Sequence, residues 1–303
     1  MNSRMKKRIV FGSLMLAFMV GVLWADFYLT RDGYNVQAGL WQAAPDALLA
    51  VRAVPLTGLF VLLILLGVAE MRGLARAAGV EVLPVSAFVA SAGLMLLPFA
   101  WQQLPAPWHG RIALLAGSIA VCLAFAEQMC LRTTTDAIRR VACTMLCATY
   151  LGLGGALVMA IRLDFNLPVL VLFLVSVKFM DIGAYFTGSA IGKHKLIPWL
   201  SPGKTWEGLA GGTVVSAGMA ILTAAALGVH LSEHPMRWVQ AGVFGAVVGL
   251  VGQFGDLAES LLKRAANVKD SGHLVPEFGG LLDILDSPLL AAPAGYLLLW
   301  AMK

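Results

Sequence analysis

Charge is scarce in this sequence. Only 13% of its 303 residues are Asp, Glu, Lys or Arg, where a soluble domain carries roughly 25%, and that shortage excludes an ordinary soluble globular fold. Cysteine is scarce as well. The four residues Cys122, Cys130, Cys143 and Cys147 match no zinc spacing, and their apolar surroundings suit packing rather than a disulfide framework. There is no internal repeat, no low-complexity tract and no linker that would mark a second domain. A phosphate-binding loop of the G-x-x-x-x-G-K-[ST] type is missing too, because Gly188 and Lys193 have the wrong spacing and His194 follows. No A-x-A-like cleavage site follows the apolar run 9–25 behind the basic start, so that run reads as a retained first span.

What the chain has instead is apolar length. It is 59% hydrophobic, with a mean hydropathy of +0.81. Apolar stretches of about 20 residues, the length that crosses a bilayer as a helix, recur from end to end. The pattern predicts an all-α polytopic integral membrane protein with about nine transmembrane helices, near 9–25, 54–70, 83–101, 112–131, 141–161, 166–182, 208–227, 239–256 and 285–301. These read as a single membrane domain over 1–303, with N-terminal spans to about 165 and a motif-bearing half from about 166.

Basic residues assign the sides. With the N-terminus inside, the inner segments hold fifteen Lys and Arg and the outer segments six, while Lys178 lies within a span. Cytoplasmic connections collect Lys and Arg, so the N-terminus is expected inside and the C-terminus outside. The net charge of +5 is then mostly topological, and nucleic acid is not an expected partner. Most of the eight tryptophans fall near span ends, where interfacial anchoring explains them. His230 and His234 lie four apart on the outer side, without an evident third metal ligand.

This assignment puts two long polar loops, about 183–207 and 257–284, on the cytoplasmic side. Each follows a span that ends in aspartate, at Asp181 and Asp256, and ionisable residues at membrane depth are functional candidates. The first loop brings Gly183, Gly188 and Gly192 together with Lys193, Lys195, Lys204, Ser201 and Thr205, a composition suited to phosphate. In the second, Asp256, Glu259, Asp270, Asp283 and Asp286 share about thirty residues with Lys263, Arg264 and Lys269. Carboxylates that hold magnesium, beside cations that neutralise phosphate, suit a metal–nucleotide site better than a simple anion pocket. A solvated loop of mutually paired charges is the plain alternative.

These two stretches resemble the signatures of the phosphatidate cytidylyltransferase (CDP-diacylglycerol synthase) family. Ser260, Lys263, Arg264, Lys269 and Asp270 match S-x-x-K-R-x-x-x-x-K-D, and Gly279, Gly280, Asp283 and Asp286 match most of H-G-G-x-x-D-R-x-D. Asp181, Ala184, Tyr185, Gly188, Gly192, Lys193, Ser201, Pro202, Lys204, Thr205, Glu207 and Gly208 match the first-loop pattern. Two positions depart: Phe278 stands where the pattern has His, and Ile284 where it has Arg.

The resemblance implies transfer of a cytidylyl group from CTP to phosphatidate, giving CDP-diacylglycerol and pyrophosphate for phospholipid synthesis. It implies magnesium, as one ion or two, held by Asp256, Asp283 and Asp286. Catalysis is expected from Asp256, Asp283, Lys263, Arg264 and Lys269, and substrate binding from Lys193, Ser201, Lys204, Thr205 and Ser260. Expected partners are CTP, phosphatidate and membrane lipid, with a homodimer as a candidate state. A bacterial inner membrane is the expected location, with the N-terminus and active site cytoplasmic. Asp181 is expected to orient Lys178, one turn earlier on the same helical face. The rival readings are a CTP-dependent lipid-alcohol kinase and a catalytically impaired, lipid-binding relative. A transporter fits less well, since its charges would concentrate at mid-membrane within broken helices.

Overall fold

The computed structural model describes residues 21–26, 28, 53–229, 231, 237–272 and 279–302. Among them, eight helices are long and apolar enough to cross a membrane. They correspond to eight of the nine expected spans. The expected first span and the departure at Phe278 lie largely or wholly outside the described residues, as do His230 and His234.

Helix α1 (Val54–Ala77) opens with Pro55 in its first turn, where a missing N–H costs nothing. Helices α2 (Pro84–Met95) and α3 (Leu97–Gln103) are broken just before Pro98 and together make the second span. Helix α4 (His109–Cys130) follows. The next span joins α5 (Ala137–Cys147), a π-helical turn (Ala148–Leu153) and α6 (Gly154–Asp164).

Helix α7 (Leu167–Ile191) starts at Asn166, whose side chain accepts from the Val169 amide at 2.9 Å. Two short antiparallel strands, β1 (Lys195–Ile197) and β2 (Ser201–Thr205), then form a hairpin. Thr205 caps α8 (Trp206–Leu227) by accepting from the Gly208 amide, and Gly228 ends it in the left-handed conformation. Helix α9 (Arg237–Ala265) and helix α10 (Leu282–Met302) complete the bundle.

In hydrocarbon every backbone polar group needs an internal partner, and α10 shows how a proline is accommodated. Pro288 sits inside that helix and has no N–H to donate to the carbonyl four residues back, which is that of Ile284. The Lys178 ammonium, reaching from α7, donates to this carbonyl at 3.0 Å. No ion pair joins Lys178 to Asp181 among the described residues, so the partner expected of Lys178 is replaced by a backbone oxygen.

The two loops expected from sequence are shorter than read, because the helices run on. Helix α7 extends to Ile191 and carries Asp181, Ala184, Tyr185 and Gly188. Helix α9 extends to Ala265 and carries Asp256, Glu259, Ser260, Lys263 and Arg264, while α10 already includes Asp283 and Asp286. The hydropathy falls where polar residues begin, but backbone hydrogen bonding persists for two to three further turns. Successive spans alternate in direction, so the connections after α1, α4, α7 and α9 share one end of the bundle.

Small residues let the helices close on one another. A Cβ on Gly212 of α8 would lie 2.7 Å from the Met180 carbonyl oxygen of α7. At Gly255 of α9 it would lie 2.7 Å from the Asp286 carbonyl oxygen and 2.9 Å from the Ser287 Cα of α10. The substitution Gly255→Val therefore forces α9 and α10 apart. We expect it to cost about 1–3 kcal/mol, as overpacking does, read as a lower unfolding temperature of the detergent-solubilised chain.

Candidate active site

Where α9 and α10 meet, their acidic residues converge. Asp256 and Glu259 are three apart on α9 and so share a face, and Asp286 approaches from α10. Carboxylate oxygens of all three lie within 4.8 Å of one another. Glu259 and Asp286 are almost fully buried. The Asp286 carboxylate is steadied locally, accepting from the Ser287 amide at 2.5 Å and the Ser287 hydroxyl at 3.1 Å.

Lysines offset part of this charge. Lys204, from β2, sits 2.6 Å from Asp256, and Lys263 bridges Glu259 at 2.7 Å and Asp283 at 2.5 Å. Asp283 itself is saturated: it also accepts from the Ser271 hydroxyl at 2.9 Å and the Gly280 amide at 2.8 Å. The close carboxylate group thus contains Glu259, with Asp283 beside it as the partner of Lys263.

A cavity of about 460 Å³ opens next to this group, lined by Asp181, Tyr185, Lys195, Lys204, Gln253 and Asp256 among others. The hairpin forms one wall, and its base is pinned by Glu207. That carboxylate accepts from the backbone amides of Lys193 and His194 at 3.1 and 3.2 Å and meets the His194 imidazole at 2.6 Å. The side chains of Lys193, Arg264 and Lys269 are exposed, and none forms an ion pair with a described residue. Thr205 is buried as a helix cap, which gives it a structural duty, while Ser201 and Ser260 are half-buried.

The residues present fit a divalent cation. Three crowded carboxylates repel one another unless positive charge is supplied, and the Glu259 Oε1 is buried with no hydrogen-bond partner among the described residues. An all-oxygen donor set of this kind suits magnesium.

One residue essential to this geometry was not singled out by the sequence reading. Glu70, buried on α1, accepts from the Leu281 and Leu282 amides at 2.8 Å each. It caps the N-terminus of α10, where orphan N–H groups and the helix dipole favour an anion. A Cβ on Gly280 would collide with Ser271 and Glu70, so glycine is required for this approach. The available signal was a lone carboxylate within an apolar run, LLGVAEMRG.

The cytidylyltransferase family model matches residues 40–302, which includes every residue of this site. The chain belongs to the cytidylyltransferase family. It is similar to the phosphatidate cytidylyltransferase of Bacillus subtilis, with 43% identity over 119 residues, 39% of this chain and 42% of that protein. Against the phosphatidate cytidylyltransferase of Haemophilus influenzae the identity is 40% over 117 residues, 37% of this chain and 39% of the relative. The chain therefore spans about two fifths of the length of these two curated relatives. A longer match covers 71% of this chain and 79% of the phosphatidate cytidylyltransferase of Staphylococcus aureus, at 31% identity over 214 residues.

In this cytidylyltransferase-family chain, Glu70 ties the N-terminal spans to the acidic end of α10. Glu70→Gln leaves one oxygen for two amides and turns an NH2 group toward a donor. The expected cost is about 1–3 kcal/mol, the penalty of an unsatisfied buried donor. Thermal unfolding measures it, and Glu70→Asp, which keeps the charge, is expected to lose less.

Proposed function

We propose that this chain transfers the cytidylyl group of CTP to phosphatidate, giving CDP-diacylglycerol and pyrophosphate for phospholipid synthesis. The observation that carries the reading is the trio Asp256, Glu259 and Asp286 beside a lysine-edged cavity at the end of a membrane bundle. The names of the relatives support the same chemistry. The substrates would meet there, with CTP arriving from the cytoplasm and the lipid from the inner leaflet of a bacterial inner membrane. The excess of Lys and Arg in the connections at this end supports a cytoplasmic orientation. A second copy of the chain, as a homodimer, is the partner state this reading carries.

In the reaction, a phosphate oxygen of phosphatidate forms a bond to the α-phosphorus of CTP. The bond from that phosphorus to the oxygen bridging to the β-phosphate breaks, and pyrophosphate leaves with the electron pair. The nucleophile is already an anion, so no general base is needed. The task of the chain is to bring two anions together and hold them in line.

Lys195 and Lys204 edge the cavity and offer charge to phosphate oxygens. Lys263, gripped by Glu259 and Asp283, fixes α9 to α10 and keeps Glu259 facing Asp256 and Asp286. Arg264 and Lys269, exposed in the last turn of α9 and just past its end, would meet the outer phosphates. Magnesium held by Asp256, Glu259 and Asp286 would neutralise polyphosphate charge and orient it.

Three measurements test this. Asp283→Asn removes the anion that orients Lys263 and is expected to lower turnover about 100-fold, the upper range for loss of a group supporting a metal ligand, with the protein still in the membrane. Near-wild-type turnover would sink the assignment. Magnesium is expected to raise the unfolding temperature of the wild-type chain and to leave that of Asp286→Asn unchanged. With labelled CTP and phosphatidate, the expected products are pyrophosphate and a CDP-lipid; release of CDP with a phosphorylated lipid alcohol would point instead to γ-phosphoryl transfer.

A further inference from the structure

A second recess, of about 200 Å³, lies at the same end of the bundle as the carboxylate trio, between the last turns of α1 and the start of α2. Its lining is Arg72, Arg76, Glu81, Val82 and Pro84, and it shares no residue with the larger cavity. Arg72 and Arg76 are four apart and project from one face of α1. Arg72 is half-buried with its guanidinium 5.7 Å from the Phe88 ring centroid. Its Nε is buried and has no hydrogen-bond partner among the described residues.

The one acidic residue lining the recess is already engaged. Arg140 reaches across from α5 to Glu81 at 3.1 Å, and the Arg140 Nε is likewise buried without a described partner. Neither Arg72 nor Arg76 forms an ion pair with a described residue. A guanidinium N–H hidden from water without an acceptor, as at the Arg72 Nε, is costly, and the exposed Arg76 adds a second cation beside it. A phosphate group supplies several acceptor oxygens in a geometry that arginine forks match.

The surroundings favour a lipid as the source of that phosphate. Val82 and Pro84 give the recess an apolar wall. Val85 and Val89, 63% and 52% exposed, continue an apolar strip along α2, where an acyl chain can lie. Basic recesses between membrane helices on the cytoplasmic side suit anionic headgroups.

We propose that the Arg72–Arg76 recess binds the phosphate of an anionic membrane lipid, separately from the catalytic cavity. The test uses the full chain in nanodiscs of phosphatidylcholine, with or without phosphatidylglycerol, followed by native mass spectrometry and thermal unfolding. The wild-type chain is expected to retain phosphatidylglycerol and to unfold at a higher temperature in its presence. The double variant Arg72→Gln/Arg76→Gln is expected to lose this preference, with binding weakened about tenfold per arginine as bonds to a charged acceptor are lost. Arg76→Gln alone, a change at an exposed position, gives a partial loss and serves if the double variant does not fold. Arg139→Gln, on the exposed side of α5, is expected to keep the full preference. An equal loss in Arg139→Gln would reduce the effect to general surface charge and overturn the site. Stabilisation by inorganic phosphate in phosphatidylcholine alone, with no preference for phosphatidylglycerol, would overturn the lipid as its occupant.

Discussion

The close approach of α9 and α10 at Gly255 is the contact on which the candidate site depends. With no side chain there, the α9 backbone comes within contact of Asp286 and Ser287 on α10, and Asp256 and Glu259 are brought against Asp286. Helices at ordinary separation would leave these carboxylates to water or lipid. Crowding them is electrostatically unfavourable, and the fold offsets that with two placed ammonium groups, Lys204 and Lys263. Acidic charge still exceeds basic charge in this cluster, which is the condition a divalent cation satisfies.

The N-terminal spans are part of this arrangement rather than a passive anchor. Glu70 holds the first turn of α10 from α1, and Ser271 reaches both Glu70 and Asp283. On the opposite flank, Lys178 of α7 takes the carbonyl that Pro288 leaves unpaired. Each of these contacts replaces a partner that water would supply in a soluble protein. A backbone amide or carbonyl left without one in hydrocarbon is costly enough to displace a helix end. Ile284 has no charge of its own to offer: its side chain packs against the core, and only its backbone oxygen receives the Lys178 ammonium.

Much of this was legible in the sequence. Apolar runs of bilayer length located eight helices to within a few residues at most of their apolar ends, and the motif residues from Asp181 to Asp286 do converge on one end of the bundle. The polar ends were misjudged for a simple reason. Hydropathy marks where side chains meet water, whereas a helix continues as long as its backbone bonds are made. Reading 257–284 as a loop hid the i, i+3 relation of Asp256 and Glu259, and with it the place of Glu259 in the trio. Glu70 was hidden differently: it is separated by 211 residues from the amide it caps, and no spacing rule reaches that far.

Composition and hydropathy determined by themselves that this chain lies in a membrane and where eight of its spanning helices run. These are properties of each segment against its solvent, and they need no knowledge of neighbours. Only the tertiary structure decided which carboxylates stand together, that Asp283 belongs to Lys263, and that two arginines of α1 border a recess of their own. Those outcomes depend on how closely particular helices approach, a distance set by glycine and proline positions acting on opposite partners far apart in the chain.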